Sequence, residues 1–150
     1  MVGAPEHFER PGAAERLFNR VLGVLVSLGL GPSYVFLLEV RGRRTGRTYS
    51  TPVDILVIDG RRYLVAPRGH TQWVRNAMAS GSVTLRKGRR REELAVRPLS
   101  DEDKPPILQA YLGRFTTAVQ GYFPVPAGAA VEAFRPLATR YPAFELVPKR

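Results

Sequence analysis

The apolar pattern of the chain opens with a helix. From about Pro11 to Gly29, apolar residues such as Leu17, Val21 and Leu25 recur four residues apart, a spacing typical of one helix face. Apolar residues also fill much of the remaining circumference. We therefore expect this helix to pack into the protein core or beneath a partner rather than to face solvent.

A membrane surface is the alternative location for this helix. Arg10, Arg16 and Arg20 flank its apolar residues, which favours peripheral contact with an acidic membrane. The longest apolar stretch, 21–30, has ten residues and is too short to cross a bilayer. Acidic residues precede it, so we identify no signal peptide and expect a cytoplasmic protein, with membrane association left open.

Beyond Pro32 the apolar period changes to two, which predicts strands. The predicted strands cover about 36–41, a segment that ends near 58, then 63–66, 83–86, 93–97 and 144–147. Asp59-Gly60 between two of them is a strong hairpin signal. Because hairpins join most of these strands, we expect an α+β fold: a small antiparallel β-barrel with an N-terminal helix and flanking helices, as one domain over residues 1–150.

Three further helices are predicted. One covers about 71–80, with Thr71 as its N-cap and Gly81 as its end. Ser100 and Asp103 resemble a capping box that opens the next helix. A weaker helical pattern covers 129–139, after a proline-containing loop at 123–126.

Charge indicates the kind of partner that the protein binds, and composition excludes several classes of catalytic and metal site. Lys and Arg total 23 against 13 Asp and Glu, a net charge of +10, and twenty of the basic residues are arginine. This balance favours an anionic partner, although codon usage also enriches arginine. The absence of cysteine excludes disulfides, thiolate catalysis and zinc–cysteine sites. Because the chain has two histidines, we expect neither a histidine-built metal centre nor a Ser-His-Asp triad.

The loop at 41–47, Arg-Gly-Arg-Arg-Thr-Gly-Arg, is the first candidate anion site. Its two glycines allow a tight turn that exposes backbone amides, and Thr45 adds a hydroxyl. With the guanidinium groups of Arg43 and Arg44, these donors suit a phosphate. The spacing is neither that of a Walker A loop nor that of a dinucleotide-binding turn. A solvated basic turn is the alternative interpretation.

Two other segments carry candidate residues. A basic, glycine-containing segment at 66–70 includes Arg68, and Trp73 and Asn76 follow it, three residues apart on one face of the predicted helix. Core packing is the alternative role for a single tryptophan. Five cations also lie among the six positions 86–91, at a predicted hairpin tip. We interpret that cluster as a solvated turn, with acidic lipid or an RNA backbone as alternative partners.

Several of these residues together resemble a known family. The run 37–46, followed by Thr51-Pro52-Val53, Ala66, Arg68-Gly69, Trp73 and Asn76, is similar to the deazaflavin-dependent nitroreductase family. Members of that family are split β-barrel proteins that use coenzyme F420, a hydride-carrying flavin analogue with a phosphate and an oligoglutamate tail. The similarity is specific between about 37 and 78 and looser elsewhere.

The resemblance implies which residues bind the coenzyme. Arg43, Arg44, Thr45 and Gly46 would hold its phosphate and tail carboxylates. Pro52 and Val53 would line the deazaflavin plane, Ala66, Arg68 and Gly69 would lie at its edge, and Trp73 and Asn76 would form the wall of the pocket. Lysine often stands in the family where this chain has Arg44 and Arg68, and guanidinium groups retain the anion binding.

The resemblance also implies an activity. The protein would be an oxidoreductase that passes a hydride between reduced F420 and an electron-poor small molecule such as an enone, a quinone or a nitroaromatic. Tyrosines in the C-terminal third surround the substrate in the family, and Tyr111, Tyr122 and Phe123 are the candidates here. Tyr122 or solvent would supply the proton that follows the hydride.

Other functions stay open from the sequence. One is a carrier that binds F420 or FMN without turnover, and we expect F420 rather than FMN. Another is a nucleic-acid-binding barrel that uses Arg43, Arg44 and the arginines at 89–91. Few aromatic residues lie between those cations, so no nucleic-acid partner is expected. The sequence leaves the oligomeric state open.

Overall fold

The structure, a computed structural model, describes residues 12–149. Its elements in chain order are α1 (Ala13–Ser27), β1 (Val35–Arg41), β2 (Thr48–Ile58), β3 (Arg61–Val65), α2 (Gln72–Ser80), β4 (Ser82–Lys87), β5 (Arg90–Pro98), α3 (Lys104–Arg114), α4 (Thr116–Val119), two 3-10 helices (Gln120–Tyr122 and Val131–Arg140) and β6 (Ala143–Pro148). Pro11, predicted at the first turn of α1, lies outside the described residues.

Over residues 12–149, six strands close into one antiparallel barrel in the order β1-β2-β3-β6-β5-β4. Strand β1 makes the closure, because it pairs with β2 on one side and with β4 on the other. Asp59 and Gly60 connect β2 to β3 with φ angles of 50° and 78°, as a tight two-residue hairpin requires. The predicted α+β barrel with an N-terminal helix is confirmed.

The hydrophobic core has two main parts. Inward-facing residues of the strands fill the barrel and include Leu38, Val40, Leu64, Leu85 and Leu94. A second cluster joins α3 and the longer 3-10 helix to β2 and β3, and it includes Leu56, Leu108, Leu112, Phe134 and Tyr141. The helix α3 and the longer 3-10 helix therefore pack outside a barrel that has a core of its own, to which α2 contributes Ala77.

The expectation that the first helix packs into the core is wrong. In α1, Val26 is buried against Val35 and Leu37 of β1, whereas Phe18 is 65% exposed and Val21 is 52% exposed. Barrel closure leaves no interior position for α1, which lies across β1 and β2 instead. None of the helices within residues 12–149 has the length and apolar character that crossing a membrane needs.

The outward side of α1 is a continuous apolar surface, which we call the exposed face. It comprises Leu17, Phe18, Val21, Val24, Leu25 and Leu28. These are the residues whose helical spacing predicted burial. Periodicity correctly identified the helix but not the location of its apolar side.

Two other helices differ from their prediction, one in where it begins and the other in its helix type. The Asp103 amide donates a hydrogen bond to the Ser100 hydroxyl at 3.3 Å, but α3 begins only at Lys104. Ser100 therefore closes a turn that precedes the helix instead of capping it. The segment predicted as a helix over 129–139 is the 3-10 helix Val131–Arg140, which contains Pro136. Proline lacks the N–H that a continuous α-helical ladder needs.

The basic cluster at 86–91 is partly engaged within the protein. Arg86 and Arg91 lie opposite each other across β4 and β5, and both form ion pairs with the buried carboxylate of Glu39, at 3.2 and 2.6 Å. The Lys87 ammonium donates to the Pro32 carbonyl at 2.5 Å. The interpretation as a solvated turn therefore holds only in part, because these three cations also have partners within the protein.

A backbone contact fixes the C-terminal end of α1 to the β4–β5 turn. The Gly88 amide donates to the Val26 carbonyl at 3.0 Å. Gly88 has a φ of +60°, and a Cβ built on it would lie 3.1 Å from the Gly29 Cα. This close approach of two backbones depends on glycine at position 88.

We expect Gly88→Ala to lower the free energy of unfolding by about 1–3 kcal/mol more than Gly60→Ala does. Gly60 also has a positive φ, but a Cβ there meets nothing within 4 Å. The left-handed strain is therefore common to both variants, and the difference isolates the clash with α1. Urea unfolding measures it, and equal losses in the two variants would contradict the contact.

Candidate functional site

A cavity of about 840 Å³ lies between α1, β2, the β3–α2 loop and the α3–α4 segment. It exists because the outer wall of the barrel forms one side and the helices outside the barrel form the other. Its volume is within the range of small-molecule and cofactor sites. The cavity is therefore the candidate functional site.

Seven residues predicted from the sequence line this cavity: Pro52, Val53, Ala66, Arg68, Trp73, Tyr111 and Tyr122. They come from β2, the β3–α2 loop, α2, α3 and the 3-10 helix at 120–122, so the fold brings distant parts of the chain together. The Trp73 ring also lies 6.2 Å from the Phe144 ring, against a buried cluster. Trp73 thus contacts both the core and the cavity.

The loop between β3 and α2 positions Arg68. The Ala66 amide donates to the Pro142 carbonyl at 2.9 Å, which ties the start of the loop to the end of the barrel. The Gly69 amide turns back to the Ala66 carbonyl at 3.1 Å, and Gly69 has a φ of +88°. This tight turn, which a side chain at Gly69 would strain, places Arg68 at the edge of the cavity.

Arg68 and Tyr122 meet the carboxylate of Glu15 from α1. Arg68 Nη2 lies 3.0 Å from Glu15 Oε2, and the Tyr122 hydroxyl donates to Glu15 Oε1 at 2.9 Å. Arg68 Nε also donates to the Tyr122 oxygen at 3.4 Å. Burial is the main cause that raises the pKa of Tyr122; the hydrogen bond from Arg68 opposes the rise and Glu15 adds to it.

The predicted phosphate loop lies in the turn between β1 and β2, apart from the residues that line the cavity. Arg43 is held by α2: its Nη1 donates to Asn76 Oδ1 at 2.7 Å and to Gln72 Oε1 at 3.0 Å. Its backbone amide also donates to Asn76 Oδ1, at 3.1 Å. The buried carboxamide of Asn76 therefore braces this turn and does not line the cavity.

The other residues of the loop are exposed, except the buried Gly42. The Thr45 hydroxyl lies 3.3 Å from the Tyr49 hydroxyl and accepts the Arg47 amide at 3.2 Å. Gly46 has a φ of +73° and donates its amide to the Gly42 carbonyl at 3.0 Å. These hydrogen bonds thus fix the shape of the turn, and Arg44 is exposed on it.

Sequence reasoning missed the polar residues of the cavity that no motif contains. Asp54 of β2 and Arg114 of α3 both line it, as does Glu15. Burial raises the pKa of the Asp54 carboxyl, and the charge of Arg114 opposes the rise. Burial also raises the pKa of Tyr111 above its ordinary value. Asp54 directly follows the predicted ring-binding pair Pro52-Val53, which was the one available signal.

A second, smaller cavity of about 570 Å³ continues from the first along α1. The two share Arg68, Asn19, Thr51 and Pro52. Arg16 and Arg20 of α1 and Arg86 of β4 also line the smaller cavity, which we call the cationic groove. An anion that reaches Arg68 therefore meets further positive charge in this direction.

The residues present fit the coenzyme that the resemblance implies. Pro52, Val53 and Trp73 provide apolar and aromatic wall for a flat ring, and Arg68 provides a cation at the edge. The buried Thr71 hydroxyl also lines the cavity, and it has no hydrogen-bond partner among the described residues. Thr71 occupies the N-cap position of α2, but its hydroxyl makes no capping hydrogen bond to the helix, which leaves the hydroxyl for a ligand.

Solved structures share the fold at low sequence identity. A protein of unknown function from Agrobacterium tumefaciens matches 98% of this chain at 19% identity, with a TM-score of 0.58, and this chain spans 60% of its length. The F420-H2 dependent reductase FDR-A matches 76% of this chain and 94% of its own, at 16% identity and a TM-score of 0.52. HutZ, the heme storage protein of Vibrio cholerae, matches 78% and 82% of the two chains at 12% identity, with a TM-score of 0.54. These similarities show the split-barrel fold.

No curated protein matches the chain. A family model described as F420H(2)-dependent quinone reductase matches residues 16–122, well over half of the chain. The matched range contains every residue that lines the main cavity except Glu15. The match confirms the resemblance found in the sequence and the assignment of coenzyme F420 as the cofactor. The chain belongs to the F420H(2)-dependent quinone reductase family.

Proposed function

We propose that this protein transfers a hydride from reduced F420 to an electron-poor small molecule, with a quinone as the first candidate acceptor. The observation that carries the proposal is the cavity itself, where Pro52, Val53 and Trp73 form a wall beside the cation of Arg68. When bound, the coenzyme supplies the hydride, so the protein needs no reactive side chain of its own for that step.

The roles that we propose for the cavity residues follow from their chemistry. The apolar wall, with Ala66 at its edge, orients a planar ring and excludes water from one face. Arg68 binds an anionic group by charge-assisted hydrogen bonds. The Thr71 hydroxyl, which has no partner within the described chain, bonds to the polar edge of the ring. Tyr122 and Asp54 are the two candidate proton donors, since both line the cavity.

We further propose that the turn between β1 and β2 holds the phosphate and the carboxylate tail. Arg43 reaches Gln72 at the start of α2, and Thr71 and Trp73 on either side of Gln72 line the cavity. The turn therefore lies beside the site. Its exposed Arg44 and the Thr45 hydroxyl are available to an anion on the surface, where a long flexible tail would leave the cavity.

Arg44→Ala tests the placement of the tail. Loss of a charge-assisted contact costs about 1.5–3 kcal/mol, so we expect the Kd for F420 to rise about tenfold or more. Titration of the deazaflavin fluorescence measures the Kd. Arg135→Ala is the matched control, because Arg135 pairs with Glu132 on the 3-10 helix, away from the cavity.

The same titration separates the competing arrangements. Loss of affinity in Arg20→Ala but not in Arg44→Ala would place the tail in the cationic groove and contradict our assignment. Oxidation of reduced F420 by a quinone without an isoprenoid tail, such as menadione, followed with the wild-type protein, tests turnover. Tight binding without quinone-dependent oxidation would identify a carrier instead of a reductase.

We also propose that the exposed face of α1 contacts an acidic membrane. Phe18 belongs to this face and also lines the cavity, as does the half-buried Leu22 beside it. Arg16 and Arg20 on the same helix complement anionic headgroups. A lipid-soluble quinone would then reach the cavity from the bilayer along α1, without passing through water.

Val21→Glu tests this contact, because it places a negative charge on the exposed face. Burying one valine contributes about 1.5 kcal/mol or more, so we expect binding to phosphatidylglycerol vesicles to fall about tenfold in co-sedimentation. Val57→Glu is the control, since Val57 is 61% exposed and lies on the barrel opposite Arg62 of β3, outside the exposed face. Equal sedimentation of the two variants, or no sedimentation of the wild type, would contradict a membrane role.

A further inference from the structure

The Glu15 carboxylate contacts two functional groups of the cavity at once, the Arg68 guanidinium and the Tyr122 hydroxyl. One carboxylate oxygen lies 3.0 Å from Arg68 Nη2, and the other accepts the Tyr122 hydroxyl at 2.9 Å. The three residues come from α1, the β3–α2 loop and the 3-10 helix at 120–122, and all three line the main cavity. This contact therefore connects three remote segments at the site.

The contact with Glu15 affects how the Arg68 guanidinium and the Tyr122 hydroxyl can interact with a ligand. The charge of Arg68 is already compensated by a carboxylate. A phenol has one proton, and that of Tyr122 points to Glu15, away from any hydride acceptor in the cavity. In this arrangement the charge of Arg68 is partly neutralised and the Tyr122 proton is engaged before a ligand binds.

The contact is also one that a ligand is able to replace. The side chains of Glu15 and Arg68 are 45% and 24% exposed, and ion pairs with such exposure are weak. The opposite end of α1 is held separately, by the buried Val26 and its bond from Gly88. Release of Glu15 would therefore free the first turns of α1 without detaching the helix.

We propose that Glu15 is an internal competitor for the anion site of Arg68 and a positioning residue for Tyr122. An anionic group of the ligand displaces the Glu15 carboxylate from Arg68. The Tyr122 hydroxyl then loses its acceptor and turns toward the cavity, where its proton faces the hydride acceptor. The identity of the ligand as F420 rests on the proposed function, whereas the competition itself rests on the contact geometry.

The opposite role for Glu15 makes a different prediction. If Glu15 instead steadied Arg68 for the ligand, neutralising Glu15 would weaken binding. If Glu15 competes, neutralising it strengthens binding. A purely structural role, holding α1 in place, would loosen the helix without strengthening binding.

Glu15→Gln tests the competition, because it removes the charge and keeps the shape. We expect the Kd for F420 to fall about two- to fivefold, the range that corresponds to a partly exposed ion pair. Amide hydrogen exchange in α1 should also become faster in the ligand-free variant. Glu92→Gln is the control, because Glu92 pairs with Arg62 on the barrel, at 2.7 Å, and does not line the cavity. It should change neither quantity.

An unchanged or higher Kd in Glu15→Gln would overturn the inference. If the wild type binds no F420, the proposed function fails, and inorganic pyrophosphate then serves as the anion for Arg68. Pyrophosphate that speeds hydrogen exchange in the first turns of α1 in the wild type, but not in Glu15→Gln, supports the competition. No effect of pyrophosphate on the wild type overturns it.

Discussion

Closure of the barrel determines where the helices and the cavity of this protein lie. Strand β1 pairs with both β2 and β4, so the six strands of the described chain form a complete cycle with its own apolar interior. The helices α1 and α3 must then pack outside, whereas α2 adds Ala77 to the barrel core. The cavity is the space left between the barrel wall and those helices, and its lining residues come from both. The candidate site therefore arises from the way the helices pack around the closed barrel.

Short polar contacts arrange the residues around this space. Asn76 braces the β1–β2 turn through Arg43, and Glu15 connects α1 to Arg68 and Tyr122. Both contacts link segments that are far apart in sequence. A protein with an excess of positive charge thus uses its few acidic and amide groups to fix where particular arginines lie. The arginines that remain exposed on the turn, such as Arg44, are the ones available to an anionic ligand.

Sequence patterns predicted the local elements well, because periodicity and turn residues act over a few positions. The Asp59-Gly60 hairpin is an example. Patterns did not predict where an apolar helix face would lie, since this depends on what the rest of the chain leaves to be covered. The exposed face of α1 shows this limit. Motif resemblance identified five of the cavity-lining residues, including Pro52 and Trp73, whose roles in binding stay predictions. Glu15 carries no local signal, because only the folded chain brings it to the cavity, and the one signal for Asp54 is its place directly after Pro52-Val53.

The central claim is that this cavity accepts a deazaflavin. Trp73, the single tryptophan of the chain, lines it and reports on binding through its own fluorescence. The most direct measurement is therefore a titration of the wild-type protein with F420 and with FMN side by side, followed at Trp73. We expect F420 to change the fluorescence and to bind at least about tenfold more tightly than FMN, a difference of about 1.4 kcal/mol. Tighter binding of FMN, or no response to either molecule, would contradict the central claim.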